Sequence, residues 1–363
     1  MHVVFYASAH GMGHLVRLSE IGRALLEIEP GCRLSYRGRV RNSVLSARTG
    51  QHFEDTAEEV DVGLVETDMF TQDLEETARS GARLLERWDN LRAQEARFLQ
   101  EGTVDAVVCD LPGVPLEAAA DAGIPGIAVG NFSWDWVYGV YHETLKQPVF
   151  GRMSDRFRRA YGTAACLARI PVGPPMTAFG KTMDVGLVGR SGDPDRIAQL
   201  REEYAMGTPC VFLAIQKAAD PRLLARGIAR TPGHRFFGFL DLEAERTTYT
   251  RVKDEDQTFF PELVWIADAV IATLGHSILS ECAVNRTPIV TPPRLDYPEY
   301  EVLLSEGRRT HPIVEIGLED FRAGRWANAI EQAQTLSPPD PPLPADGAKQ
   351  IARIIREKAK GTP

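Results

Sequence analysis

The chain reads as an α/β protein with two doubly wound, Rossmann-like domains facing across a cleft. Short apolar strands alternate with helices in two successive runs, and in each run a glycine-bearing turn joins a strand end to a helix start. A length of 363 residues suits two cores rather than one.

The first run opens with an apolar strand at 3–7 and a glycine-rich turn at 10–14. A helix follows, with Leu15, Leu18, Ile21, Leu25 and Leu26 at helical spacing. A strand at 33–36 comes next, then a long helix over 74–100 carrying Leu84, Leu85, Trp88, Leu91 and Phe98 on one face. Strand 106–109, helix 116–122 and strand 126–129 complete a pattern that requires right-handed parallel crossovers. Segment 169–175, with three prolines and a glycine, breaks the rhythm and reads as the linker. The second run then places strands at 210–215, 234–239, 269–273 and 288–291, with helices at 221–230, 260–267 and 278–284. Five prolines within 337–344 form a stiff spacer. Beyond it, 349–358 reads as an amphipathic helix. The expected organisation is an acceptor-binding domain over 1–170, a donor-binding domain over 176–336, and a helix within 345–360 that crosses back to the first domain. Ligands of such sheets bind outside the carboxyl ends of the strands, so the cleft is the expected site.

Composition narrows the function. A formal charge of −9 argues against a nucleic-acid groove, which needs clustered Lys and Arg. No apolar run approaches a membrane span, and no basic leader precedes the strand at 3–7. The five cysteines (Cys32, Cys109, Cys166, Cys210, Cys282) are scattered, with no CxxC pair. These features give the expectation of a cytoplasmic, reduced protein without a structural zinc site or a transmembrane segment.

Two motifs carry chemistry. The first is His10-Gly11-Met12-Gly13-His14, between the first strand and first helix. Glycines there let backbone approach a ligand, and the helix start offers N–H groups and positive potential. An imidazole at that place suits a general base, its ordinary pKa being near 6.5; the alternative is a histidine that caps or packs the helix. His10 reads as a local turn residue as readily as a ligand. The second motif is Thr273-Leu274-Gly275-His276-Ser277, followed one turn on by Glu281. Gly275, His276 and Ser277 can offer donors to a diphosphate, and Glu281 shares their face and can accept ribose hydroxyls. The alternative makes Ser277 an N-cap and Glu281 an exposed helix charge. After strand 288–291 come Arg294, Asp296, Tyr297, Glu299 and Tyr300, polar groups suited to sugar hydroxyls or to a solvated loop. Asn131-Phe132-Ser133-Trp134-Asp135 follows strand 126–129 and offers aromatic faces beside a carboxylate, or ordinary core packing.

With these residues in view, the chain resembles the GT-B nucleotide-sugar glycosyltransferases. It is similar in particular to the branch holding the bacterial peptidoglycan N-acetylglucosaminyltransferase and the glycosyltransferase-like N-terminal part of plant arabinokinase. Residues 6–26 resemble that branch's first turn and helix, 131–135 its Asn-Phe-Ser-Trp-Asp element, and 260–299 its donor strand, turn, helix and sugar loop. The resemblance implies His14 as the acceptor-activating base and Glu281 as the ribose ligand. It implies Gly275 and Ser277 at the diphosphate turn, Phe259 and Phe260 at the uracil, and Asp296 and Glu299 in the loop that reads the sugar; Gly13 and His276 are grouped with the donor. His10, Asp110, Asn131, Trp134 and Asp135 fall to the acceptor. The family often has a glycine-rich turn where this chain reads Ala214-Ile215-Gln216-Lys217-Ala218-Ala219, so Lys217 would replace backbone donors with a charge. The function implied is inverting, metal-independent transfer of a sugar from a nucleotide donor, a UDP-sugar, to a small-molecule or lipid-linked acceptor, without a cofactor. A sugar-nucleotide epimerase of the same fold and a non-catalytic sugar-nucleotide-binding protein are the alternatives.

Overall fold

The computed structural model describes residues 1–8, 11–38, 60–205, 209–215, 220–243 and 248–361. The chain forms two compact units. The first takes Met1–Val65, Asp73–Val188 and Pro344–Pro363, and the second takes Glu66–Gln72 and Gly189–Leu343.

The first unit is built on six parallel strands. In chain order its elements are β1 (His2–Ala7), α1 (Met12–Ile28), β2 (Arg33–Arg37), α2 (Leu74–Glu101), β3 (Ala106–Asp110), α3 (Val114–Asp121), β4 (Gly126–Gly130), α4 (Trp134–Leu145), α5 (Pro148–Tyr161), β5 (Cys166–Arg169) and β6 (Thr182–Asp184). β1, β3 and β4 are buried along their whole length, which is why they read as unbroken apolar runs. The strand order is β2-β1-β3-β4-β5-β6, so the winding reverses between β1 and β3. There the register sets Ala7 beside Asp110, the last residues of both strands. Open parallel sheets take ligands at this reversal.

The second unit repeats the plan. It contains α6 (Pro194–Tyr204), β7 (Cys210–Leu213), α7 (Pro221–Ala229), β8 (Arg235–Gly238), β9 (Tyr249–Arg251), α8 (Phe260–Ile266), β10 (Ala269–Ile271), α9 (His276–Asn285), β11 (Ile289–Thr291), α10 (Pro298–Gly307), β12 (Ile313–Glu315), α11 (Leu318–Ala323) and α12 (Ala327–Thr335). Its six parallel strands run β12-β11-β10-β7-β8-β9, and the reversal lies between β7 and β10. α13 (Gly347–Ala359) belongs to the first unit, where Lys360 Nζ donates to Glu29 at 2.6 Å. No helix among the described residues is long and apolar enough to cross a membrane.

Two features depart from the sequence reading. Residues 169–175 are not the connection between units, for they lead from β5 to β6 inside the first. Ile170 N donates to Gly130 O at 2.9 Å, and a Cβ on Gly173 would come within 1.7 Å of Asn131 O. The glycine therefore serves close backbone packing, and the chain passes to the second unit at Val188 and Gly189.

The second departure is a small hairpin. Glu66 and Gln72 form an antiparallel bridge, and Asp68 closes the turn by accepting from Phe70 N at 2.7 Å and Thr71 N at 2.9 Å. Although it lies in the first third of the sequence, this hairpin is part of the second unit's core. Phe70 is buried edge-on to Phe321, with ring centroids 5.8 Å apart, in a cluster that includes Trp326, Val211 and Ile271. Phe70→Ala should therefore cost about 3–5 kcal/mol of stability. Hydrogen exchange should show protection falling in β7 to β12 and unchanged in β1 to β6; loss confined to the first sheet would contradict this placement.

Candidate active-site residues

At the strand reversal of the first unit, α1 brings His14 beside the end of β3. His14 Nδ1 lies 2.8 Å from Asp110 Oδ1, and Arg17 Nε donates to Asp110 Oδ2 at 2.7 Å. His14 and Arg17 stand three residues apart, so one helix face presents both to the same carboxylate. Arg17 also donates from a terminal nitrogen to Asn131 Oδ1 at 3.2 Å. Asp110 is fully buried and His14 is 6% exposed.

Burial alone would push the Asp110 carboxyl up, but Arg17 and His14 together hold it below the ordinary carboxylate range. An ionised carboxylate only accepts, so Nδ1 carries the proton and Nε2 is the basic nitrogen of the ring. Arg17 also approaches Nδ1, but at 3.5 Å against 2.8 Å for Asp110. The closer carboxylate decides the tautomer.

Gly13 is half-buried in the first turn of α1, and His10 lies outside the described residues. Trp134 and Asp135 are not an open aromatic platform. They are the first residues of α4, and the Trp134 ring is buried between Phe132, edge-on at 5.0 Å, and Tyr138, stacked at 5.5 Å. Asp135 is likewise buried, with Arg158 Nε 3.4 Å from Oδ2. Both are core residues. Asn131 stays in the His14 cluster through Arg17. Arg17 itself was missed by sequence reading, although it stands one turn after His14 on the same helix face.

In the second unit, the turn after β10 leads directly into α9, which begins at His276. Gly275 is its N-cap, so Ser277 is not the cap, and among the described residues no side-chain cap bond is made at the helix start. The φ of Gly275 is −131°, which any residue adopts. What the glycine provides is room, since among the described residues an added Cβ would meet no atom within 4 Å. Ser277 is half-buried beside it, while His276 is buried with its Nδ1 3.3 Å from Ser280 Oγ.

One turn along α9, Glu281 is buried and accepts from Arg190 Nε at 2.5 Å. Asn285 locks the same stretch, donating to Arg190 O at 2.9 Å and to Glu281 O at 2.8 Å. Glu281 is thus no exposed helix charge, and Arg190 is a second partner that sequence reading did not anticipate. Phe259 and Phe260 are half-buried at the start of α8. The Arg196 guanidinium lies 4.2 Å over the Phe259 ring, and Phe260 packs 5.4 Å from Phe212. Asp296 is exposed in left-handed backbone at φ 53°, and buried Glu299 accepts from Tyr297 Oη at 3.1 Å. Lys217 lies outside the described residues.

No family model matches the chain. L-arabinokinase of Arabidopsis thaliana is 25% identical over 390 residues, covering 99% of this chain and 35% of the relative. An uncharacterized glycosyltransferase of Methanopyrus kandleri is 35% identical over 95 residues, covering 26% of this chain and 28% of that protein. The chain thus spans about a third of the arabinokinase's length. Among solved structures, a UDP-glucosyltransferase of Polygonum tinctorium capable of glucosylating indoxyl superposes with a TM-score of 0.60 at 14% identity, covering 99% of this chain and 93% of that one. UGT89C1 of Arabidopsis thaliana, solved with UDP, gives 0.61 at 12% identity, covering 98% and 94%. These likenesses establish the fold as the two-domain GT-B fold.

The depressed Asp110 carboxyl makes a pH prediction. A group whose folded pKa lies below its unfolded value stabilises above the unfolded value, about pH 4, and that contribution fades as pH falls through the folded one. Asp110→Asn leaves Arg17 buried without its carboxylate and should cost about 3–5 kcal/mol at neutral pH. In denaturant titrations the gap between wild type and variant should narrow steadily below about pH 4. A gap independent of pH would contradict the ionised pair.

Proposed function

We propose that the chain is an inverting, metal-independent glycosyltransferase that uses a UDP-sugar donor. The observation that carries the reading is the His14–Asp110 contact at the strand reversal of a GT-B first unit. Support for the donor comes from the glycine-capped start of α9, where the described residues leave room, with Glu281 one turn on, and from structural neighbours described as a UDP-glucosyltransferase and as a complex with UDP. The archaeal relative described as a glycosyltransferase points the same way.

In this mechanism His14 Nε2 takes the proton from an acceptor hydroxyl held by the first unit. The acceptor oxygen attacks the anomeric carbon from the face opposite the nucleotide. The bond from that carbon to the diphosphate oxygen breaks, UDP leaves with the electron pair, and configuration inverts. Asp110 holds the ring in the productive tautomer and stabilises the imidazolium that forms. Charge growing on the leaving diphosphate falls to the backbone N–H groups at 275–277 and the positive end of α9. Glu281 accepts from the ribose hydroxyls with Arg190 fixing one of its oxygens, and Phe259 and Phe260 flank the base. The acceptor is a small molecule or a lipid-linked sugar.

UDP alone should raise the melting temperature by mass action. Glu281→Gln, which keeps the shape beside Arg190, should weaken UDP binding by about ten- to a hundredfold, the equivalent of about 1.5–3 kcal/mol. An unchanged affinity would remove Glu281 from the ribose site.

His14→Ala should lower UDP release from UDP-sugars, assayed with a panel of phenol, amine and sugar acceptors, by roughly a hundred- to ten-thousandfold. Its UDP affinity should stay within about twofold of wild type. Near-normal turnover in the folded variant would refute the base assignment, and joint loss of turnover and UDP affinity would make His14 a donor ligand instead. Activity abolished by a chelator would refute metal independence.

A further inference from the structure

The hairpin Glu66–Gln72 does more than fill the second unit's core. Its Phe70 carbonyl accepts from Leu295 N at 2.7 Å, and its Glu66 carboxylate accepts from the Arg294 guanidinium at 2.6 Å. Arg294 is itself nearly buried, with its side chain 8% exposed, while Glu66 keeps 30%. The Arg294 guanidinium lies 3.8 Å over the Tyr297 ring, and the Tyr297 hydroxyl donates to Glu299 at 3.1 Å. A continuous relay therefore runs from Glu66 through Arg294 and Tyr297 to Glu299, and the backbone between Arg294 and Asp296 is pinned by Phe70. Without Glu66, a desolvated guanidinium would lose its nearest counter-charge and with it the fixed position over Tyr297.

We propose that Glu66 and Arg294 are positioning residues for donor-sugar selection, holding Glu299 and the adjoining loop in one geometry through Tyr297. This deepens the proposed function and rests on the reading of Glu299 as a sugar ligand. A carboxylate that hydrogen-bonds sugar hydroxyls discriminates among sugars only if its orientation is fixed, because selectivity comes from hydroxyls left unpaired in the wrong donor. The relay supplies that fixity from a part of the sequence far from the loop. Lysine does not replace Arg294 here, since the site uses a planar group stacked on an aromatic ring while bonding a carboxylate.

The test uses the full chain and calorimetric titration with UDP, UDP-glucose, UDP-galactose, UDP-N-acetylglucosamine and UDP-arabinose. Wild type should prefer one sugar nucleotide over the others. Glu66→Gln, a change of charge without change of shape, should lower that preference by about tenfold while UDP affinity stays within about twofold. Arg294→Lys should behave like Glu66→Gln, and Glu66→Gln combined with Glu299→Gln should lose no more preference than Glu299→Gln alone, as members of one relay do. The inference is overturned if Glu299→Gln removes the preference and Glu66→Gln does not. It is equally overturned if Glu66→Gln weakens UDP and every UDP-sugar alike, which is the signature of a merely structural role. If Glu299→Gln leaves the preference intact, or wild type binds none of these nucleotides, the underlying donor reading fails and the inference with it.

Discussion

The His14 cluster of the first unit depends on one buried carboxylate. Asp110 ends β3 with no exposure to solvent, and a charge in that position persists only if it is paired and hydrogen-bonded. Two side chains of α1 meet the demand, Arg17 on one oxygen and His14 on the other. The parallel pairing of β1 and β3 makes this possible, since it brings the start of α1 beside the end of β3 across almost a hundred residues of sequence. Arg17 supplies the charge that keeps Asp110 ionised, which leaves the weaker partner, His14, with a defined tautomer. The proposed base thus belongs to a buried ion-pair cluster of the first unit.

The second unit solves a different problem with backbone. Among the described residues the helix start after β10 makes no side-chain cap bond, and its N-cap glycine leaves space where another residue would put a methyl group. Such a helix end supplies both orientation and potential for an anion. Around it the side chains are held tightly. Arg190 fixes Glu281, the Asn285 side chain donates to the backbone carbonyls of both, and the hairpin Glu66–Gln72 ties Arg294 and Leu295.

Much of the fold was legible because its signals are local. The apolar runs at β1, β3, β4, β7 and β10 are buried on both faces, and glycine turns mark the strand reversals, so both domains and both motifs could be read from pattern. Residues whose meaning depends on a distant partner were not legible. Arg17 looks like any helix arginine until Asp110 is placed beside it. Residues 66–72 have no periodicity of their own, and their place in the second unit is decided by Phe70 packing with Phe321 and Trp326, far along in the sequence. The proline- and glycine-rich stretch at 169–175 resembles a linker because its glycine serves backbone packing, a use that composition does not distinguish from flexibility. Trp134 takes the core packing that its sequence context left as an alternative, because Ser133 starts a helix that turns the indole inward.

The central claim is that Asp110 holds His14 with its proton on Nδ1 and its basic lone pair on Nε2. Nitrogen-15 NMR of the imidazole ring, assigned by its loss in His14→Gln, reads this directly at alkaline pH, where an imidazole is neutral. The account predicts a protonated Nδ1 and an unprotonated Nε2 in wild type, with the preference lost in Asp110→Asn. A wild-type ring protonated on Nε2 would contradict it.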